Sequence, residues 1–134
     1  PNILMSVDGS GIFSDGPEAV VEKYLKGFAD AVTNSNFSYI SDYLKPGSAI
    51  YQEQEKYVTR DITAQLSSFE IVSVDYSNQQ NCVVVTRETY FVQVGNEPLQ
   101  LMTQECKYAV EESGGEWKLT AFADKVKVLS RIKQ

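Results

Sequence analysis

The spacing of apolar residues changes near Phe69, and this change restricts the chain to a fold that is helical first and extended second. Before Phe69, apolar side chains recur every three or four residues, which is the period of an amphipathic helix. After it, β-branched and aromatic residues alternate with polar ones, as is typical of strands. This order predicts an α+β domain in which three N-terminal helices pack on a curved, four-stranded antiparallel meander sheet.

The first predicted helix has a clear start and a single apolar stripe. Asp15 can cap its free amides, Pro17 and Glu18 suit the first turn, and the helix should end near Asn34. Five apolar residues share one face of this helix: Val21, Tyr24, Leu25, Phe28 and Val32. The stripe therefore has to pack against the sheet.

Two shorter helices are predicted to follow. The first covers residues 36–44, because the Pro-Gly pair at 46–47 prevents continuation. Ser48 then starts a helix over residues 49–66, whose exposed face would include Glu53.

Four strands are predicted in the C-terminal half, and they cover residues 69–76, 82–94, 99–111 and 117–128. Short turn-forming segments rich in Asn, Gly and Ser separate them. Consecutive strands joined by such turns form an antiparallel meander.

Length and charge restrict the domain organisation and the partners. The 134 residues fit one domain, with residues 15–134 as its body and residues 1–14 as a linker or an added edge strand. The net charge of -6, without a dense basic cluster, argues against nucleic acid as a partner. The chain begins with Pro1 rather than Met, so we expect it to be a piece of a longer protein.

The predicted order of elements resembles the cone-shaped fold of the nuclear transport factor 2-like superfamily, which includes ketosteroid isomerase. Most of residues 18–122 is also similar to the C-terminal domain of the teicoplanin-resistance-associated membrane protein TcaA and of related Gram-positive zinc-ribbon membrane proteins. The matching stretches are residues 23–36, 43–48 (YLKPGS), 49–54 (AIYQEQ), 86–90 (TRETY) and 105–108 (ECKY). They are packing and turn patterns, which identify a fold family rather than an activity.

The resemblance implies an extracytoplasmic domain of a membrane-anchored cell-envelope protein. The zinc ribbon and the membrane helix of such proteins would lie upstream of Pro1, so any membrane contact would be through those upstream segments. The implied role is a non-catalytic binding or scaffold module that contacts an envelope component or another protein. Self-association through the sheet, which this superfamily commonly uses, is a third alternative, and it would place the outward residues Arg87, Thr89 and Phe91 in a homodimer interface.

The chain lacks histidine, which excludes the usual serine and cysteine triads and most zinc sites. We predict no cofactor and no metal. A turn centred near Asn96 or Glu97 would put Cys106 opposite Glu88 and Cys82 opposite Glu112, about six residues or roughly 20 Å apart. A disulfide needs Cα atoms within about 7 Å, so both cysteines should be free, buried thiols.

Glu88 is the most informative single residue, because the alternation of its strand points it toward the inner face of the sheet. Its predicted neighbours in a pocket are Tyr90, Gln104 and Tyr108. An inward carboxylate has to be paired or hydrogen-bonded. It could be a structural acceptor, which we favour, or the base of an isomerase or dehydratase that also uses Tyr90 or Tyr108.

The tyrosines of the helices allow a second kind of site. Tyr24, Tyr43, Tyr51 and Tyr57 have spacings that could line a groove. The alternative, which we favour, is amphipathic packing with the hydroxyls at the surface.

Overall fold

The computed structural model describes residues 16–134 of the chain. Helix α1 (Pro17–Thr33) has Gly16 as its N-cap and Asn34 as its C-cap. The apolar stripe is confirmed, because four of its five members are buried and Phe28 is half-buried. The predicted cap Asp15 and the predicted linker or edge strand over residues 1–14 lie outside the described residues.

The predicted second helix is wrong. Residues 36–44 instead form two short 3₁₀ turns, Phe37–Tyr39 and Ser41–Tyr43, and the side chain of Asn36 caps the first. Ile40 separates them in a non-helical conformation, and its side chain is completely buried. The chain must bury Ile40 and then reach the sheet at Lys45, whose N–H donates to the Leu119 carbonyl at 2.9 Å. This path disfavours a continuous helix.

Helix α2 (Ala49–Tyr57) begins as predicted, with the Ser48 hydroxyl accepting from the Tyr51 amide, but it is nine residues long. The prediction that it continues to residue 66 is wrong. Residues 62–66 belong to the first strand and pair with residues 90–94 of the second. Long-range pairing therefore overrides the weak helical pattern of this segment.

The sheet has five strands, and their bounds are β1 (Ile62–Asn78), β2 (Asn81–Val94), β3 (Gln100–Ser113), β4 (Glu116–Phe122) and β5 (Lys127–Lys133). Strands β1 to β4 form the predicted antiparallel meander. The single predicted strand over residues 117–128 is wrong, because β4 ends at Phe122 and residues 123–126 belong to no strand. The chain then resumes as β5 along the same edge of β3.

The interruption between β4 and β5 behaves as a bulge in one long edge. Ala123 still donates its N–H to the Lys107 carbonyl at 2.7 Å, and Lys127 pairs with Glu105, so the three residues 124–126 stand opposite the single residue Cys106 of β3. Bulges of this kind redirect side chains. Here Val126 reaches the inner side of the sheet.

The core lies between α1 and the concave inner face of the sheet, and it includes Val21, Leu25, Ile40, Leu44 and Leu119. This arrangement of two α-helices on a five-stranded antiparallel sheet forms the predicted α+β cone. Neither helix in residues 16–134 has the length and the apolar run needed to cross a bilayer.

Candidate functional site

The alternation of β2 directs a row of side chains into the cone. Cys82, Val84, Thr86, Glu88 and Tyr90 are all buried. Glu88 is 1% exposed and is the only carboxylate among the buried residues of the described part of the chain. An ionisable side chain at this depth requires hydrogen-bond partners.

Four neutral side chains donate to the Glu88 carboxylate. Tyr90 Oη lies 2.8 Å from Oε1 and Gln104 Nε2 lies 3.3 Å from the same oxygen. Tyr108 Oη lies 2.6 Å from Oε2, and Thr86 Oγ1 lies 2.5 Å from it. Two donors on each oxygen match the acceptor capacity of an ionised carboxylate, which cannot donate.

The tyrosines of this network keep their protons. Burial, and then the negative charge of Glu88, raise the pKa of Tyr108 well above its ordinary value. The same causes, in the same order, raise the pKa of Tyr90 and of Tyr24. All three hydroxyls are therefore protonated at neutral pH, and those of Tyr90 and Tyr108 act as donors to the carboxylate.

The structure brings together the four residues of the predicted pocket but corrects their register. Glu88 lies opposite Gln104, and not opposite Cys106 as predicted. The error is two residues, because the β2–β3 turn is centred on Asn96 rather than on Glu97. An even shift leaves each side chain on its predicted face.

The cysteines are separated in this register. Cys82 lies opposite Val110, where Glu112 was predicted, and Cys106 lies opposite Thr86. Four residues of β2 therefore separate the two cysteine positions, roughly 13 Å of strand. Both thiols are free and buried. Gln104 Nε2 lies 3.4 Å from Cys106 Sγ, so this thiol borders the Glu88 network.

A cleft of about 330 Å³ opens beside Glu88, between α1, α2 and the inner face of the sheet. Its aromatic wall consists of Tyr24, Phe28, Tyr57, Tyr108 and Phe122. Phe28 links this wall, because its ring stacks on Tyr57 at 5.9 Å and packs against Tyr24 at 5.8 Å. Val126, displaced by the bulge after β4, also lines the cleft.

The helix tyrosines do not form one groove. Tyr24 and Tyr57 line the cleft beside Glu88, whereas Tyr43 lines a separate hollow between α1 and the β3–β4 turn. Tyr51 packs edge-on against Phe37, with ring centroids 4.9 Å apart. The alternative of a common tyrosine groove is therefore wrong, although two of the four tyrosines do share a cleft.

Two residues of α2 contribute to the cleft without having been predicted there: Glu53 and Gln54. Gln54 is 5% exposed, and its Oε1 has no hydrogen-bond partner among residues 16–134. The sequence contained a signal for it, because Gln54 lies four residues after Ile50 and four before Val58, on the same helical stripe. The structure buries all three side chains. A polar residue on an apolar helical stripe indicates a special environment.

The cleft is electronegative. Its lining includes Glu53 and Glu88 but no lysine or arginine. Among the described residues, neither carboxylate takes part in an ion pair. The same part of the chain has no cluster of three or more acidic, cysteine or histidine side chains placed to hold a metal ion.

Residues 14–123 match the model of the family described as the TcaA protein NTF2-like domain. The chain is also similar to the uncharacterised membrane protein YvbJ of Bacillus subtilis (strain 168), with 28% identity over 102 residues that cover 73% of this chain. The chain spans 17% of that relative's length.

Solved structures share the fold at low sequence identity. The intermembrane space region of the chloroplast protein ARC6 has a TM-score of 0.65 and 14% identity, over 87% of this chain and 94% of that one. A candidate scytalone dehydratase from Novosphingobium aromaticivorans DSM 12444 has a TM-score of 0.58 and 10% identity, over 87% of each chain. At such identities the likeness shows the fold alone.

Proposed function

Because this chain belongs to the TcaA protein NTF2-like domain family, we propose that it is an extracytoplasmic binding domain of a membrane-anchored cell-envelope protein and that it is not an enzyme. The relative YvbJ is a membrane protein, and the region similar to this chain makes up 17% of it. That proportion is consistent with a domain held at the membrane by segments elsewhere in a longer protein. Its partner would be an envelope component or another protein.

The observation that supports a non-catalytic role is that both oxygens of the Glu88 carboxylate already accept their full number of hydrogen bonds. A general base needs a free lone pair within reach of the proton that it removes. Both carboxylate oxygens already accept two donors, and the side chain is 1% exposed. Glu88 is thus suited to fixing the inner face of the cone rather than to taking a proton from a substrate.

The cleft beside Glu88 supports binding. Its volume of about 330 Å³ is within the range of small-molecule sites, which begins at about 300 Å³. Aromatic walls with a few polar groups are the usual lining of such sites. A small ligand, or one side chain of a partner protein, would fit.

An isomerase or dehydratase is the second candidate, and the convergence of Tyr90 and Tyr108 on Glu88 favours it. Reactions of this type use a carboxylate base and hydroxyl donors that stabilise the developing oxyanion. In this site, however, both hydroxyls donate to the carboxylate itself. The candidate base and the candidate oxyanion donors are hydrogen-bonded to each other, so a substrate would have to break two short hydrogen bonds before reacting.

One experiment tests binding against catalysis. A fragment library is screened by saturation-transfer NMR against the wild-type domain and two variants, Val126→Trp, which fills the cleft mouth, and Ile132→Trp, which lies on the outer face. Both positions are exposed, at 40% and 56%. We expect fragments that bind the wild type and Ile132→Trp but not Val126→Trp, and that are recovered unchanged.

The same samples are incubated with a β,γ-unsaturated ketone and with a β-hydroxy ketone, and the conjugated enone is followed by absorbance. We expect no rate above buffer. Enone formation that is lost in Glu88→Gln would establish the enzyme instead. Fragments that bind all three proteins equally, or none of them, would reject the cleft as a binding site.

The location is tested on the full-length protein with a C-terminal epitope tag, expressed in a Gram-positive host. External protease should remove the tag from intact protoplasts while a cytoplasmic marker stays whole. A tag that is cut only after lysis would reject the extracytoplasmic location.

A further inference from the structure

We infer that the cleft beside Glu88 selects a primary ammonium group carried on a small aromatic or aliphatic body. This inference rests on the proposed binding function and adds the chemical class of the ligand. It draws on three separate features of the cleft: uncompensated negative charge, aromatic walls and a buried acceptor without a donor.

The first feature is the charge. All four donors to Glu88 are neutral, so they satisfy its lone pairs but supply no positive charge. Glu53 adds a second carboxylate to the lining, and no cationic side chain lines the cleft. Since charges interact strongly in a site of low dielectric, the cleft favours a cation and repels an anion.

The second feature is the aromatic wall. A cation is attracted to the face of an aromatic ring at about 6 Å or less from its centroid, and the attraction grows when water is excluded. Tyr57 already makes one such contact, because the guanidinium of Arg60 lies 5.4 Å from its centroid. Arg60 is not part of the cleft lining. The rings of Tyr24, Phe28 and Phe122 provide both cation–π contacts and a surface for the apolar body of the ligand.

The third feature is Gln54, which distinguishes one kind of cation from another. Its Oε1 is buried, lacks a donor within residues 16–134, and belongs to a side chain that lines the cleft. A buried acceptor left without a donor is unfavourable, so a ligand that supplies a donor to it gains affinity. A primary ammonium has three N–H donors and can satisfy this oxygen, whereas a quaternary ammonium has none.

The size of the cleft limits the body of the ligand. About 330 Å³ is at the lower end of the small-molecule range of about 300–1,000 Å³, so one ring with a short chain fills it. Phenethylammonium combines one ring with one primary ammonium. It is therefore the probe of choice, and its close analogues keep the phenethyl body and change only the polar group.

The test is isothermal titration calorimetry at low ionic strength with four probes that share the phenethyl body. Phenethylammonium is compared with hydrocinnamate, which is an anion, with neutral phenethyl alcohol, and with phenethyltrimethylammonium, which lacks N–H groups. We expect the primary ammonium to bind best, the quaternary one about tenfold more weakly, and the anion not at all. Val126→Trp should abolish binding, and Ile132→Trp should leave it unchanged.

Two substitutions assign the contributions of individual residues. Glu88→Gln should weaken the binding of phenethylammonium by about tenfold or more, since it removes the buried charge. Gln54→Leu should weaken the binding of phenethylammonium but leave the affinity for phenethyltrimethylammonium unchanged. If Glu88→Gln does not fold, the exposed variant Glu53→Gln takes its place, with an expected loss of about threefold.

The outcomes separate this inference from the function on which it rests. Tighter binding of hydrocinnamate or of the alcohol, still blocked by Val126→Trp, would overturn the ammonium class while keeping a binding cleft. Equal effects of Gln54→Leu on both cations would overturn the role of Gln54. If none of the four probes binds, the inference is overturned. The fragment screen then tests the binding function independently.

Discussion

The hydroxyl of Tyr108 donates to Oε2 of Glu88 at 2.6 Å, although the two residues are not opposite each other in the sheet. Glu88 pairs with Gln104, and Tyr108 pairs with Val84. The hydrogen bond therefore runs diagonally from β3 to β2, and a slip of either strand would break it. Glu88 thus helps to fix the register of the two central strands.

Tyr108→Phe should destabilise the domain measurably. The change leaves Glu88 buried with one donor fewer, and hydrogen bonds to charged groups contribute about 1.5–3 kcal/mol. Urea unfolding should report a loss of that size in the free energy of unfolding. The control is Tyr39→Phe, at a position that is 45% exposed, where we expect almost no change. Equal effects of the two substitutions would contradict the structural role of the diagonal bond.

Stability should fall steeply in alkali because of three buried tyrosines, Tyr24, Tyr90 and Tyr108, whose pKa values are raised by burial and by Glu88. Below the ordinary tyrosine pKa of about 10, the folded and unfolded states both hold these protons. Above it, the unfolded chain loses them first, so the free energy of unfolding decreases by up to about 4 kcal/mol per pH unit for three protons.

Urea titrations at increasing pH, with tyrosinate absorbance as a second signal, test this alkaline effect. Tyr24→Phe removes one of the three groups and should reduce the slope by about a third. A slope that is the same in the wild type and in this variant would contradict the assignment to Tyr24.

The two thiols should resist modification while the domain is folded. Burial, and then the charge of Glu18, raise the pKa of Cys82 to about 11, and burial first and Glu88 second raise the pKa of Cys106. The thiolate fraction of Cys82 is then about a hundredfold below that of an ordinary cysteine. An aromatic disulfide reagent should label neither thiol in buffer and both in urea. Ser38→Cys, at an exposed site, provides a reactive control, and rapid labelling of the native wild type would contradict the burial.

Gly27→Ala should destabilise the contact between α1 and the first 3₁₀ turn. A Cβ at Gly27 would lie 2.6 Å from the carbonyl oxygen of Tyr39 and 3.3 Å from Ile40 Cγ2, so the backbone would have to move. Overpacking of this kind costs about 1–3 kcal/mol, although alanine is otherwise the better helix former. Thermal unfolding should show the loss. Gly16→Ala, where the nearest atom is a flexible carboxylate oxygen at 3.5 Å, should cost less than Gly27→Ala, because it creates no clash with backbone and only replaces glycine by a poorer N-cap residue. A similar loss at both sites would refute a specific clash at Gly27.

Homodimer formation through the sheet remains a prediction. On the outer face, Arg87 lies 3.3 Å from Glu70 and 3.8 Å from Glu105, so Arg87→Glu would gather three carboxylates there. Sedimentation velocity over a concentration series should show a wild-type dimer that this substitution dissociates. Lys26→Glu on α1 makes the same charge change elsewhere and should not. A wild type that sediments as a monomer throughout would contradict the prediction.

Local periodicity was sufficient to predict the faces of the long helix and of the central strands. The stripe from Val21 to Val32 and the inward direction of Glu88 follow from repeats of 3.6 and 2 residues, which each segment carries by itself. The same repeats could not distinguish a short helix from two 3₁₀ turns around Ile40, because both bury the same side chains. The register of β2 and β3 depended on whether the turn between them is centred on residue 96 or on residue 97, and the alternation does not specify this.

The sequence by itself determined that a carboxylate would enter the cone, because the alternation of β2 leaves Glu88 no other direction. Only the tertiary structure decided what surrounds it. Gln54 comes from α2, and Val126 comes from a bulge between two strands that share one edge of β3. These groups are distant in sequence, so their meeting depends on long-range packing and pairing that no local pattern encodes.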